Sequence, residues 1–201
     1  MTRSHDRSHH RPLTPGDGFF DEQVGGPDPA EVSAAAEMAA QVLVRGARAD
    51  GDQAVADRVL HLAETEGLET LADLWSGAPA DSLAGCLWRL YLLRTWVHAD
   101  PVEAARQFDE GRAHAAVARV VAGVAEPPGP EDLKEMADHV LRGIVQTDFA
   151  DVLFRASAFA RVIAAGRARS DSSTADAASR MQHLADDLES AARQELSTGL
   201  A

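Results

Sequence analysis

Trp88, Arg89, Tyr91 and Arg94 fall within seven consecutive residues. A helix through them carries two guanidinium groups beside two aromatic rings. That set can hold a small anion or other small ligand, because arginine offers a planar fork of donors to a carboxylate or phosphate and the rings supply an apolar wall. A plainer use exists: each arginine ion-pairs with an acid on a neighbouring helix while its stem lies on apolar surface. A third is nucleic-acid binding by stacking plus arginine. All three stay open on sequence.

Phe19 and Phe20, followed by Asp21 and Glu22, form a second candidate site. Two adjacent rings in a stretch rich in Gly and Pro need apolar shelter. Either the arm folds back on its own core, or the pair docks on another protein with the two acids steering it. Cys86 is the only cysteine, which excludes an internal disulfide; its place in an apolar helix reads as a small buried hydrophobe. His5, His9 and His10 sit in the N-terminal tail without a completing ligand set. His61, His98, His114, His139 and His183 are spread over different helices or helix ends and read as surface positions. The pairs His61/Glu64 and Glu135/His139 do not make the facing Glu-x-x-His sets of a di-iron bundle. No phosphate loop, zinc-protease helix or nucleophile elbow occurs. No catalytic residue, metal or cofactor is expected.

The formal net charge is −13. Such a chain disfavours polyanion and anionic-membrane surfaces, which need a positive field. The imbalance is uneven. Residues 13–70 hold twelve acids against Arg45, Arg48 and Arg58, a balance of −9. Residues 82–125 hold five arginines against four acids, a balance of +1, so an anionic partner would meet this middle segment. There is no asparagine, and Lys134 is the only lysine; these scarcities, with one tyrosine and two isoleucines, point to GC-rich coding.

These residues must be positioned by helices. Apolar residues make up 45% of the chain, mostly Ala, Val and Leu, and aromatics only 5%, a composition that favours helix over strand. No segment alternates with period two between turn signals. The fold expected is all-α, a compact multi-helix bundle of about eight or nine helices with an irregular N-terminal arm. Residues 1–27, dense in Gly and Pro from Pro12 onward, form an extended or disordered arm. Residues 28–199 form a single all-α domain with lobes 28–125 and 126–199, divided at Glu126-Pro-Pro-Gly-Pro130.

Helix signals place elements near 29–49, 53–66, 69–75, 82–97, 101–110, 113–122, 130–145, 148–169 and 175–196. Asp28-Pro29 and Asp100-Pro101 each read as an N-cap followed by proline at the first helical position. The helix near 82–97 is apolar almost all round and is expected at the centre of the core, with both Trp88 and Leu90 buried. It is too short and too charged to cross a membrane. Glu37-Met-Ala-x-x-Val-Leu43 echoes Glu135-Met-Ala-x-x-Val-Leu141; a duplicated hairpin and chance in an alanine-rich chain both explain it.

The arm Leu13-Thr-Pro-Gly-Asp-Gly-Phe-Phe-Asp-Glu-Gln-Val-Gly-Gly-Pro-Asp-Pro29 and the run from Ala78 to Trp96 resemble a family of uncharacterised, alanine-rich helical proteins of actinobacteria. The resemblance implies a source and no mechanism. Some members are loosely labelled DNA-binding, which the charge of this chain does not favour. The function expected is a non-catalytic protein-interaction or regulatory module of the cytosol with a protein partner. The alternatives are a nucleic-acid-associated regulator and a small-anion or small-ligand binder using Trp88, Arg89, Tyr91 and Arg94.

Overall fold

The computed structural model describes residues 28–46, 61, 67–114, 127–141, 148–169 and 175–200. Among the described residues there are seven helices and no strand: α1 (Pro29–Arg45), α2 (Leu68–Trp75), α3 (Leu83–Ala99), α4 (Pro101–His114), α5 (Pro130–Leu141), α6 (Phe149–Arg167) and α7 (Ala175–Ser197). The all-α class holds, and the described residues contain seven helices where eight or nine were expected of the whole chain. The helix expected near 53–66 lies outside the described residues except for His61. The helix expected near 101–110 is α4, which runs unbroken through Gly111 to His114; the helix expected near 113–122 lies outside the described residues beyond His114.

Local chemistry sets most helix starts. Asp28 accepts the Ala30 N–H at 2.9 Å, with Pro29 in the first turn. Ser82 accepts the Gly85 N–H at 3.1 Å, Asp100 the Glu103 N–H at 3.0 Å, and Asp148 the Ala150 N–H at 3.0 Å. Each side chain satisfies one of the donors a helix leaves without an internal partner. At its far end α1 stops at Gly46 rather than near residue 49; the positive φ of 73° there suits glycine.

All seven helices contribute to one connected core. Pairings cross the 126–130 stretch in both directions: α5 packs on α3, and α4 packs on α6. The most extensive pair is α6 with α7. Helix α3 touches every other helix, yet it is not wrapped on all sides. Leu83, Leu87, Leu90, Leu93 and Val97 are fully buried. Trp88 and Tyr91 are only half-buried, and Leu92 is 38% exposed. Trp88, Leu92 and Thr95 share one side of the helix by their i, i+4, i+7 spacing, and that side faces outward. The helix buried nearly all round is α6, where thirteen residues from Phe149 to Gly166 are inside. Alanines at 150, 156, 158, 160 and 164 let neighbours approach α6 from several directions, which large aromatics on α3 do not allow.

Two glycines bring α4 and α6 into contact. A Cβ at Gly111 would lie 2.0 Å from the Val162 carbonyl oxygen, and one at Gly166 would lie 2.0 Å from the Gln107 carbonyl oxygen. Each helix therefore supplies a notch for the backbone of the other. This is why Gly111 sits inside a helix instead of ending one. No described helix is long and apolar enough to cross a membrane.

Candidate functional site

The arginines of α3 lean to different neighbours. Arg89 donates from Nε and Nη2 to Asp187 on α7, at 3.1 and 2.9 Å, and from Nη1 to the Gly85 carbonyl at 3.0 Å. Arg94 donates to Asp138 on α5; both side chains of that pair are less than one-fifth exposed. Between them Trp88 and Tyr91 stack at 5.7 Å with their planes 20° apart. The four residues share a helix, but the two guanidinium groups do not converge on one space. Phe19, Phe20, Asp21 and Glu22 lie outside the described residues.

Cys86 is buried, and its Sγ sits 3.7 Å from the Ala80 carbonyl oxygen. Burial pushes the thiol up to about 12, so it is protonated at neutral pH and a poor nucleophile. Among the described residues no group of three or more His, Cys, Asp or Glu side chains could hold a metal ion. His61, His98 and His183 are exposed.

Two features escaped the sequence. The first is an aromatic run through the core. Phe108 of α4 stacks on Phe159 of α6 at 5.7 Å, and Phe159 meets Trp96 of α3 at 6.3 Å. Arg167 lies 4.6 Å over the Trp96 ring, a cation–π contact, and donates to the Gln107 side chain at 2.9 Å. Burial, then the nearby Arg180, pull the Arg167 guanidinium below its ordinary value. Only the pairing of these residues in space reveals the run, because they come from three separate helices.

The second is an open cleft of about 430 Å³ between the start of α1 and the end of α2. Pro29, Val32, Ala36, Leu74 and Ala78 give it an apolar wall, with Ser33, Asp73 and Ser76 among its polar positions. Local chemistry shapes it. The Ser76 side chain donates to the Asp73 carbonyl at 2.8 Å, and the Ala78 N–H donates to the Trp75 carbonyl at 3.0 Å. These bonds close α2 and turn the chain back before α3. Trp75, between the lining residues Leu74 and Ser76, is fully buried in the core. Among the described residues that line it there is no cysteine, histidine, lysine or arginine; what they offer is apolar surface with hydroxyl and carboxylate groups. Its size lies in the range of sites that take small ligands or one or two large side chains (about 300–1,000 Å³). No signal in the sequence marks it, since its lining residues are ordinary apolar positions on two helix ends.

No family model, no curated protein and no solved structure matches the chain.

Proposed function

We propose that this chain is a non-catalytic helical interaction module that receives a short apolar peptide segment in the α1/α2 cleft. The observation that supports this reading is the cleft itself: open, walled by Pro29, Val32, Ala36, Leu74 and Ala78, and rimmed by groups that accept or donate hydrogen bonds. Such a surface binds by burying apolar side chains, with the rim fixing the backbone. The alternative of a small-anion site on α3 draws less support, because Arg89 and Arg94 already hold Asp187 and Asp138. Nucleic-acid binding draws least, given the charge of −13.

The test is selection of displayed random peptides against the full chain. Peptides with large apolar residues are expected to enrich. Their binding is lost in Val32→Glu, which puts a charge in the cleft, and kept in Arg89→Ala. Selected peptides that bind Val32→Glu as well as the parent would overturn the reading.

A further inference from the structure

The α1/α2 cleft has a sign as well as a shape. Asp73 lines it together with Ser33 and Ser76. Asp73 is exposed, and among the described residues nothing donates to its carboxylate. The two stretches that build the cleft, 28–44 and 67–88, hold six acids (Asp28, Glu31, Glu37, Glu69, Asp73 and Asp81) and no Lys, Arg or His. From this we infer that the occupant of the cleft is a basic apolar segment of another protein: a large apolar side chain seated on the wall, with an Arg or Lys beside it paired to Asp73. This rests on the cleft being a peptide site and names the class of peptide it takes.

The backbone favours the same sign. The cleft lies at the C-terminal end of α2, where carbonyls without an intrahelical partner leave partial negative charge. A basic side chain in the last turn can complement such an end; α2 has none. The opposite wall is the N-terminal end of α1, whose partial positive charge alone would favour an anion. Asp28 at its cap and Glu31 in its first turn offset that charge. An anionic segment would meet Asp73 and the end of α2 with no basic side chain among the described lining residues to receive it. A cation gains from both.

Apolar wall and charge divide the work. A space of about 430 Å³ takes one or two large side chains. Pro29, Val32, Ala36, Leu74 and Ala78 favour apolar ones, and burying them supplies affinity in proportion to area. Area does not choose among apolar segments. Charge at the rim does, because it steers and selects more than it holds. A single exposed pair with Asp73 strengthens binding by up to about fivefold at low salt, and screening removes most of that gain.

The experiment selects displayed random peptides in parallel against the full chain and against its Asp73→Lys variant. Expected from the wild-type chain are peptides that set an Arg or Lys beside a large apolar residue. Expected from Asp73→Lys are peptides in which an acid takes the place of that basic residue. The most enriched wild-type peptide is then synthesised in two forms, one intact and one with its Lys replaced by norleucine or its Arg by citrulline. The intact form is expected to bind the wild-type chain about fivefold more tightly than the uncharged form, with most of the difference gone in about 1 M salt. On Asp73→Asn the two forms are expected to bind alike. Apolar peptides without a basic residue, bound equally by wild type and Asp73→Lys and lost in Val32→Glu, overturn the charge selection and leave the cleft as a peptide site. Self-association of the wild-type chain that Asp73→Lys abolishes gives the cleft to a second copy and overturns the inference. If the selected peptides are indifferent to both Val32→Glu and Asp73→Lys, the charge selection and the function proposed above fail together.

Discussion

The α4/α6 crossing and the α1/α2 edge are two solutions to packing a pair of helices from small residues. At the crossing, Gly111 and Gly166 remove the side chains that would hold the backbones apart, and each carbonyl fills the opposite notch. At the edge, small residues at Ser33, Ala36, Gly77 and Ala78 leave a space of about 430 Å³. Smallness closes one contact and opens the other. The difference lies in what faces the small residue: a backbone at the crossing, and at the edge no described residue that fills the volume.

Substitution at the glycines breaks this comparison most directly. Gly166→Leu forces a side chain against the Gln107 backbone and is expected to cost about 3 kcal/mol or more, since a packed backbone cannot move aside as a side chain can. Gly111→Ala costs less, about 1–3 kcal/mol, because the added methyl also gains helix propensity of up to about 1 kcal/mol. Gly77→Ala is the control at the edge, where an added Cβ meets nothing within 4 Å; its change stays within about 0.5 kcal/mol. Urea denaturation of the three variants checks the order. Equal losses at Gly77 and Gly166 would mean that the notch is not what holds α4 to α6.

Burial separates the next group. Trp75 and Leu90 are wholly inside. Trp75→Ala is expected to cost about 3–5 kcal/mol and Leu90→Ala about 2–5 kcal/mol. Trp88, half-buried and stacked on Tyr91, loses only about 1 kcal/mol on truncation, mostly its ring contact. If Trp88→Ala costs as much as Leu90→Ala, α3 is covered on the side of Trp88, Leu92 and Thr95 as well.

How far the sequence could be read follows from the range of the chemistry involved. The caps at Asp28, Ser82, Asp100 and Asp148 are made with backbone groups two or three residues away, so a local pattern reveals them. Gly111 falls in the gap between the helices expected near 101–110 and 113–122, yet it lies inside α4, because its reason is Val162, on another helix. The centre was assigned to α3 from its apolar girth, but girth records hydrophobicity and not which side finds a neighbour; alanine-rich α6, less apolar side by side, is the helix that neighbours enclose. The arginine–aromatic set of α3 was visible as residue types, and its ion pairs were one of the uses anticipated. The partners Asp138 and Asp187 could not be chosen among many acids without the fold. The cleft carried no signal at all, because an empty volume is a property of two surfaces and not of a run of residues.

The ion pairs offer a smaller test of enclosure. Arg94 and Asp138 are both largely shielded, while Asp187 opposite Arg89 is 43% exposed. Arg94→Ala is expected to cost about 1.5–3 kcal/mol, the range for charged hydrogen bonds out of water. Arg89→Ala is expected to cost about 1 kcal/mol or less, as for exposed pairs. Double-mutant cycles with Asp138→Ala and Asp187→Ala separate the pair energies from lost stem packing. Coupling at Arg89 equal to that at Arg94 would contradict the difference in exposure.

The smallest effect concerns two glutamates of opposite tendency, Glu37 in the middle of α1 and Glu195, which pairs with Arg45 at its C-terminal end. Glu195 bonds Arg45, and that bond holds its carboxyl below the ordinary value. Its contribution is present above the unfolded value and is lost as pH falls through the folded one. Glu37 is the reverse. Burial raises its carboxyl above the ordinary 4.5, against the lowering effect of the Ala84 N–H, which it accepts at 3.3 Å. Its Oε1 is buried without a partner. A carboxyl raised in the folded state binds more protons there, so its contribution is full below the unfolded value and declines as pH climbs through the folded one. Glu37→Gln keeps an acceptor for Ala84 and removes the buried charge. It is expected to raise the melting temperature slightly at pH 7, with the gain vanishing below about pH 4. Glu195→Gln lowers it at pH 7, with the loss shrinking in acid. Melting curves of both variants and the parent across pH 3–8 give the two slopes; a Glu37→Gln gain that persists undiminished at pH 3 would assign the effect to packing and not to charge.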